Sequence, residues 1–139
     1  MFNSIVLGID GSDHAVKATD VTAGLAKALG SEVLVLHVLE RIAASKGAPA
    51  ADLEVPSDAV GLAEEVARRL KKEGIKTTER VIIASSGRVA PEILSAAEEA
   101  KADLIVVGSR GLSDFSGLLV GSVSHKLIQH ANCPVLVVR

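Results

Sequence analysis

Residues 108 to 126 read GSRGLSDFSGLLVGSVSHK, and four of these positions are glycine. Three of them, Gly108, Gly111 and Gly121, follow the spacing G-x2-G-x9-G-S, which Ser122 closes. Glycine at 108 and 111 lets a chain wrap closely around a ligand with no side chain in the way. Gly121 and Ser122 open an amphipathic stretch, where free amides and the positive end of a helix favour an anion. The Ser122 hydroxyl can bond that anion or cap the helix. Asp10 closes the first apolar run; when ionised it is an acceptor suited to sugar hydroxyls or to a phosphate-bound Mg2+. Glycine spacing alone is weak, because about 7% of all residues are glycine. Its place among the surrounding elements gives it weight.

Those elements alternate. SIVLGID (4–10) is dense in β-branched and aliphatic residues and reads as a strand buried on both faces. Ser12 or Asp13 can cap the helix that follows, with Ala18, Val21, Leu25 and Leu29 as its inward face and Gly30 as its stop. EVLVLHVLE (32–40) is a second strand. The connection 41–57 has two prolines and a glycine and no steady period, the composition of a mobile segment. Ser57 is the expected cap of a second helix that buries Leu62, Val66 and Leu70. A third strand (77–84), a third helix begun near Pro91, a fourth strand (103–107), a last helix (122–131) and a fifth strand (134–138) complete the chain.

Short apolar strands separated by helices predict an α/β fold: an open five-stranded parallel sheet with helices on both faces, one domain over 1–139. Such sheets bind ligands beyond the carboxyl ends of their strands, where the strand order reverses. Order 2-1-3-4-5 puts that crevice between strands one and three; order 3-2-1-4-5 puts it between strands one and four. Only the second, Rossmann-like order brings Asp10 and Gly108 to one crevice, and it is the order expected. Asp10 and the 108–124 segment together then describe a nucleotide site.

Composition narrows the alternatives. The chain of 139 residues is 48% hydrophobic, has two phenylalanines and neither tyrosine nor tryptophan, and carries a formal charge of -2. It lacks the stacking aromatics of a single-strand nucleic-acid binder and the basic excess of a phosphate-backbone binder. Cys133 is the one cysteine, so no intramolecular disulfide can form; a buried reduced thiol in a cytoplasmic protein is the expectation. MFNSIVLGID has no basic start, and Asp10 interrupts its short apolar run, so neither a signal peptide nor a membrane span is expected.

The quoted segments resemble the universal stress protein family, in its nucleotide-binding branch. The resemblance runs the whole length: IVLGIDGS at the start, LHV in strand two, DLIVVGSRG, and GSVSHKLIQHANCPVLVV at the end. It implies that Gly108, Gly111, Gly121, Ser122 and the backbone of Val123 bind the phosphates of ATP, with Mg2+. It also implies that Asp10 contacts the ribose region and that the backbone of Val38 contacts adenine. Gly8, Ile9, Val107 and Ser124 adjoin these positions and join the expected nucleotide-binding set. Arg110 stands between two motif glycines, where reaching phosphate and remaining solvated are equally open. Some relatives have proline at the position of Gly8, which leaves the adenine-side wall open. The resemblance further implies a homodimer joined through the last strand, around Val135 to Val138, whose exposed apolar edge invites pairing.

No general base stands beside the inferred terminal phosphate, and the P-loop pattern with its lysine is absent. Fast hydrolysis is therefore not expected, and slow hydrolysis or self-phosphorylation, at Ser113, Ser116 or Ser124, stays open. Of the four histidines, His37 lies within a buried strand, and His125 and His130 lie on the last helix without a clustered cysteine or carboxylate, so no metal site is expected. A phosphorelay receiver would need an aspartate after strand three, where this chain has IIASSG; an adenylating enzyme would want a glycine-rich loop after strand one, of which GIDGSD is a faint echo. The reading is an ATP-binding stress-response regulatory protein whose nucleotide controls its shape or an unidentified protein partner. A nucleotide-independent chaperone or scaffold of the same fold is the alternative.

Overall fold

The computed structural model describes residues 1–41, 56–109 and 120–139. Five strands and four helices alternate: β1 (Ser4–Ile9), α1 (Asp13–Leu29), β2 (Glu32–Arg41), α2 (Ser57–Lys72), β3 (Thr77–Ser85), α3 (Val89–Glu99), β4 (Leu104–Gly108), α4 (Ser122–His130) and β5 (Val135–Val138). The strands form one sheet in the order β3-β2-β1-β4-β5, and every pairing is parallel. The order reverses between β1 and β4, as expected, with Leu7 opposite Val35 on one side and Val106 on the other. No helix among the described residues is long and apolar enough to cross a membrane.

Strand alternation sends neighbouring side chains to opposite faces, so the sheet has a core on each side. Ile5, Leu7, Val33, Val35, Leu104 and Val106 pack beneath α1 and α2. Val6, Leu36, Ile105 and Val107 pack beneath the buried faces of α3 and α4, which supply Ile93, Ala97 and Leu127.

Helix α1 corrects the periodicity reading. Its buried face is Ala15, Ala18, Thr19, Thr22, Ala23 and Ala26, while Val21 and Leu29 are exposed. Small residues let the helix lie close to the sheet. The Thr19 and Thr22 hydroxyls are satisfied within the helix, donating to the Ala15 and Ala18 carbonyls at 2.9 and 2.8 Å. On its flank, Asp20 pairs with Arg69 and Lys27 with Glu73 at the α2 end, both pairs at the protein surface. Ser12 is the N-cap, accepting from the Ala15 amide at 3.2 Å, and Gly30 ends the helix in the left-handed conformation at φ 70°.

Helix α2 differs from expectation at its start. Pro56 occupies the cap position, Ser57 is the first helical residue, and no side chain caps the helix. Its inward face holds Ala59, Ala63, Ala67 and Leu70, with Leu62 and Val66 half-buried against the same core. Of the 41–57 connection, residues 42–55 lie outside the described residues.

Candidate functional site

A cleft opens at the carboxyl ends of β1, β2 and β4. It is lined by Gly8, Ile9 and Asp10 from β1 and its end, Val38 from β2, Val107 and Gly108 from β4, and Gly121, Ser122, Val123 and Ser124 from the start of α4. Each of these was expected at the site from the sequence. Arg110 and Gly111 lie outside the described residues. Four lining residues were not foreseen: Ala15, Leu36, Val89 and Ile93. Leu36 was legible in principle, because it lies two residues before Val38 on the same strand face and opposite Gly8. Ala15, Val89 and Ile93 arrive from helices, and no local pattern announces them.

The cleft has two chemically distinct parts. Leu36, Val38, Val89, Ile93 and Val107 make an apolar wall. Gly8 opens it, since a β-carbon there would sit 2.9 Å from Val107 Cγ1 and 3.8 Å from Ile93 Cδ1. The polar part is the N-terminus of α4. Gly121 is its cap residue, in an extended conformation, and no side chain caps the helix; Ser122 is the exposed first residue and does not serve as the cap. The first amides of a helix have no acceptor within it, and no acidic residue stands in this first turn. The α1 N-terminus nearby is the reverse case. Ser12 occupies its cap and Asp13 its first turn, an arrangement that repels a second anion. Of the two helix ends, only that of α4 is free of both a capping side chain and a first-turn acid.

Asp10 is half-buried, and its Oδ1 accepts the Ser12 amide at 2.9 Å, so the carboxylate also shapes the turn into α1. Gly108 has a structural duty that glycine spacing did not reveal. A β-carbon on it would lie 2.8 Å from His14 Cβ and 2.9 Å from the His14 carbonyl carbon. The first turn of α1 leaves room for nothing larger than glycine here. Ser124 is buried, and its hydroxyl donates to the Gly108 carbonyl at 2.8 Å, tying α4 to the end of β4. Next to it the Gly121 amide donates to the Ser109 carbonyl at 2.6 Å, and the Ser109 amide to Val138 of β5 at 2.7 Å. Ser109, 1% exposed, holds its hydroxyl 3.0 Å from His14 Nδ1. Neither Ser109 nor His14 was singled out from the sequence, and 95 positions separate them.

The remaining histidines stand apart from the cleft. His37 is buried with Nδ1 3.4 Å from the Ala59 carbonyl, while His125 and His130 are exposed on α4. Among the described residues no group of three histidine, cysteine or carboxylate side chains could hold a metal ion.

The model of the universal stress protein family matches residues 1–139. The chain belongs to the universal stress protein family. Universal stress protein YxiE of Bacillus subtilis is 38% identical, with both chains covered in full. A universal stress protein of Thermus aquaticus is 40% identical, again over the whole of both chains. Among solved structures, that of a universal stress protein in complex with cAMP matches with a TM-score of 0.74 and 28% identity, covering 99% of this chain and 97% of the other. As a universal stress protein, the chain keeps its apolar wall and its uncapped helix end side by side. That pairing suits a ligand with a flat apolar ring and an anionic tail.

Proposed function

We propose that the cleft binds an adenine nucleotide, ATP with Mg2+, and that occupancy sets the conformation or partner binding of a cytoplasmic stress-response regulator. The observation that carries this reading is the uncapped N-terminus of α4, Gly121 to Ser124, beside the wall of Leu36, Val38, Val89, Ile93 and Val107. Adenine lies against the wall near the Val38 backbone. The phosphates meet the amides of Ser122, Val123 and Ser124, where the helix end supplies positive potential. Asp10 faces the ribose or a phosphate-bound Mg2+ from the end of β1. The glycine motif assigns Gly111 to the phosphates as well; Gly111 and Arg110 lie outside the described residues. The solved universal stress protein holding cAMP, similar to this chain over nearly its whole length, supports an adenine nucleotide as the ligand class.

The same reading includes a homodimer. β5 is an edge strand of four residues, all aliphatic, next to β4 on one side only. Antiparallel pairing with a second copy would satisfy its outer peptide groups.

Calorimetric titration of the purified protein with Mg-ATP, ATP in EDTA, AMP and cAMP tests the ligand. Binding at micromolar to millimolar concentration is expected, strengthened by Mg2+ for ATP. If no adenine nucleotide binds at millimolar concentration, and none accompanies the freshly purified protein, the reading gives way to a nucleotide-independent scaffold.

A further inference from the structure

We infer that His14 and Ser109, neither of which lines the cleft, are positioning residues for the phosphate-binding end of α4. The inference rests on the nucleotide reading and adds the residues that set the anionic half of the site.

Glycine at the α4 cap has no side chain with which to fix itself, so the helix end is located by what its backbone and Ser124 hold. Both anchors are carbonyls at the end of β4. Ser124 Oγ donates to the Gly108 carbonyl at 2.8 Å, and the Gly121 amide donates to the Ser109 carbonyl at 2.6 Å. A turn of the Ser109 peptide would swing its carbonyl away from Gly121 and carry the first α4 amides with it. The Ser109 hydroxyl opposes that turn, because His14 Nδ1 at 3.0 Å ties the residue to the first turn of α1. His14 in turn cannot drift, since its backbone packs against Gly108 at a distance that excludes even a β-carbon. The first turn of α1 thus braces the first turn of α4 across the end of β4. The brace touches the anion-binding amides and leaves the apolar wall alone, so it selects for the anionic part of a ligand over its ring.

The test compares adenosine, which has no phosphate, with AMP and Mg-ATP, titrated against wild type, His14→Leu, His14→Asn, Ser109→Ala and the double variant His14→Leu/Ser109→Ala. One neutral hydrogen bond corresponds to a change of about twofold to tenfold in a dissociation constant. His14→Leu and Ser109→Ala should weaken AMP and ATP by that amount with adenosine unchanged. The double variant should be no weaker than either single one. His14→Asn should stay within about twofold of wild type, because an asparagine amide reaches the position of Nδ1. All variants should stay folded, since the β4–β5 pairing and both cores are untouched; circular dichroism and thermal midpoints check this. Equal AMP affinity in folded His14→Leu and wild type overturns the inference. So does parallel weakening of adenosine and AMP, or His14→Asn behaving like His14→Leu. Wild type that binds neither AMP nor Mg-ATP overturns the nucleotide reading, and this inference with it.

Discussion

The backbone of His14 passes so close to Gly108 that a β-carbon on the glycine would lie 2.9 Å from the His14 carbonyl carbon and 3.1 Å from the Ala15 amide nitrogen. Two segments far apart in the chain thereby meet at the mouth of the cleft. Backbone atoms are the obstacle, so no side-chain rotation can relieve the contact. Gly108→Ala should destabilise the protein by about 1–3 kcal/mol, the range for overpacking a close-packed site. Urea unfolding of the variant checks it; an unchanged midpoint would show that α1 shifts freely.

Two other glycines should respond in the opposite sense. Gly24 in α1 and Gly61 in α2 are exposed, and a β-carbon at either meets nothing within 4 Å. Alanine there restricts the unfolded chain and meets no obstacle in the folded one. Each substitution should add about 0.5–1 kcal/mol, read as a higher urea midpoint with an unchanged slope.

At the cleft, Gly121→Val puts a branched side chain at the cap position, where the proposed phosphates meet α4. The backbone there, φ -65° and ψ 160°, is open to valine, so the fold should persist. Nucleotide affinity should fall while circular dichroism stays the same. Normal binding by the folded variant would contradict the phosphate assignment.

Asp10→Ala should weaken nucleotide by a separate route, losing acceptors to ribose or metal on the order of 1.5–3 kcal/mol. The same change removes the acceptor of the Ser12 amide. A loss of stability should therefore accompany the loss of affinity, and paired calorimetric and urea measurements separate the two. Affinity equal to that of wild type would remove Asp10 from the binding set.

For the proposed dimer, a charge at Leu136 would be a poor probe, because Leu136 packs against the core beneath α1 and a charge there would also disturb folding. The Pro134 and Val138 carbonyls face β4, accepting from Ile105 and Ser109. Alternation along the strand then turns the Val135 and Val137 peptide groups to the open edge. Val137→Pro removes one outward donor and leaves the β4 ladder in place, the position where an edge strand tolerates proline. Sedimentation should show a wild-type dimer at micromolar concentration and a folded monomer for the variant. A wild-type monomer would end the proposal.

Cys133 should be a slow thiol. Burial foremost, and then the Asp103 carboxylate, push its pKa above the ordinary cysteine value. Less thiolate is present at neutral pH, and thiolate is the reacting form. Alkylation by iodoacetamide should run slower than that of free cysteine at pH 7 and accelerate as pH rises beyond the usual thiol range. A rate matching free cysteine would contradict this.

The sequence by itself determined the alternation of strands and helices, because buried parallel strands must be continuous aliphatic runs and glycines or prolines must stand between them. It also determined most of the cleft. Asp10, Gly108 and Gly121 to Ser124 sit at strand ends or a helix start, places that local pattern sets; Val38, inside β2, is reached through the family resemblance. What only the tertiary structure decided depends on pairs of residues distant in the chain. The inward face of α1 is a set of alanines and threonines, with the larger Val21 left outside, because closeness to the sheet outweighs the area each side chain could bury. Val89 and Ile93 reach the cleft because α3 crosses over it, a fact of helix placement. Gly108 reads as a ligand-facing glycine until His14 is seen against it, and Ser109 reads as a loop serine until its hydroxyl meets the same histidine. Contacts of this kind leave no periodic trace, since each needs only one residue of the right size or polarity at each end, and the fold alone brings the ends together.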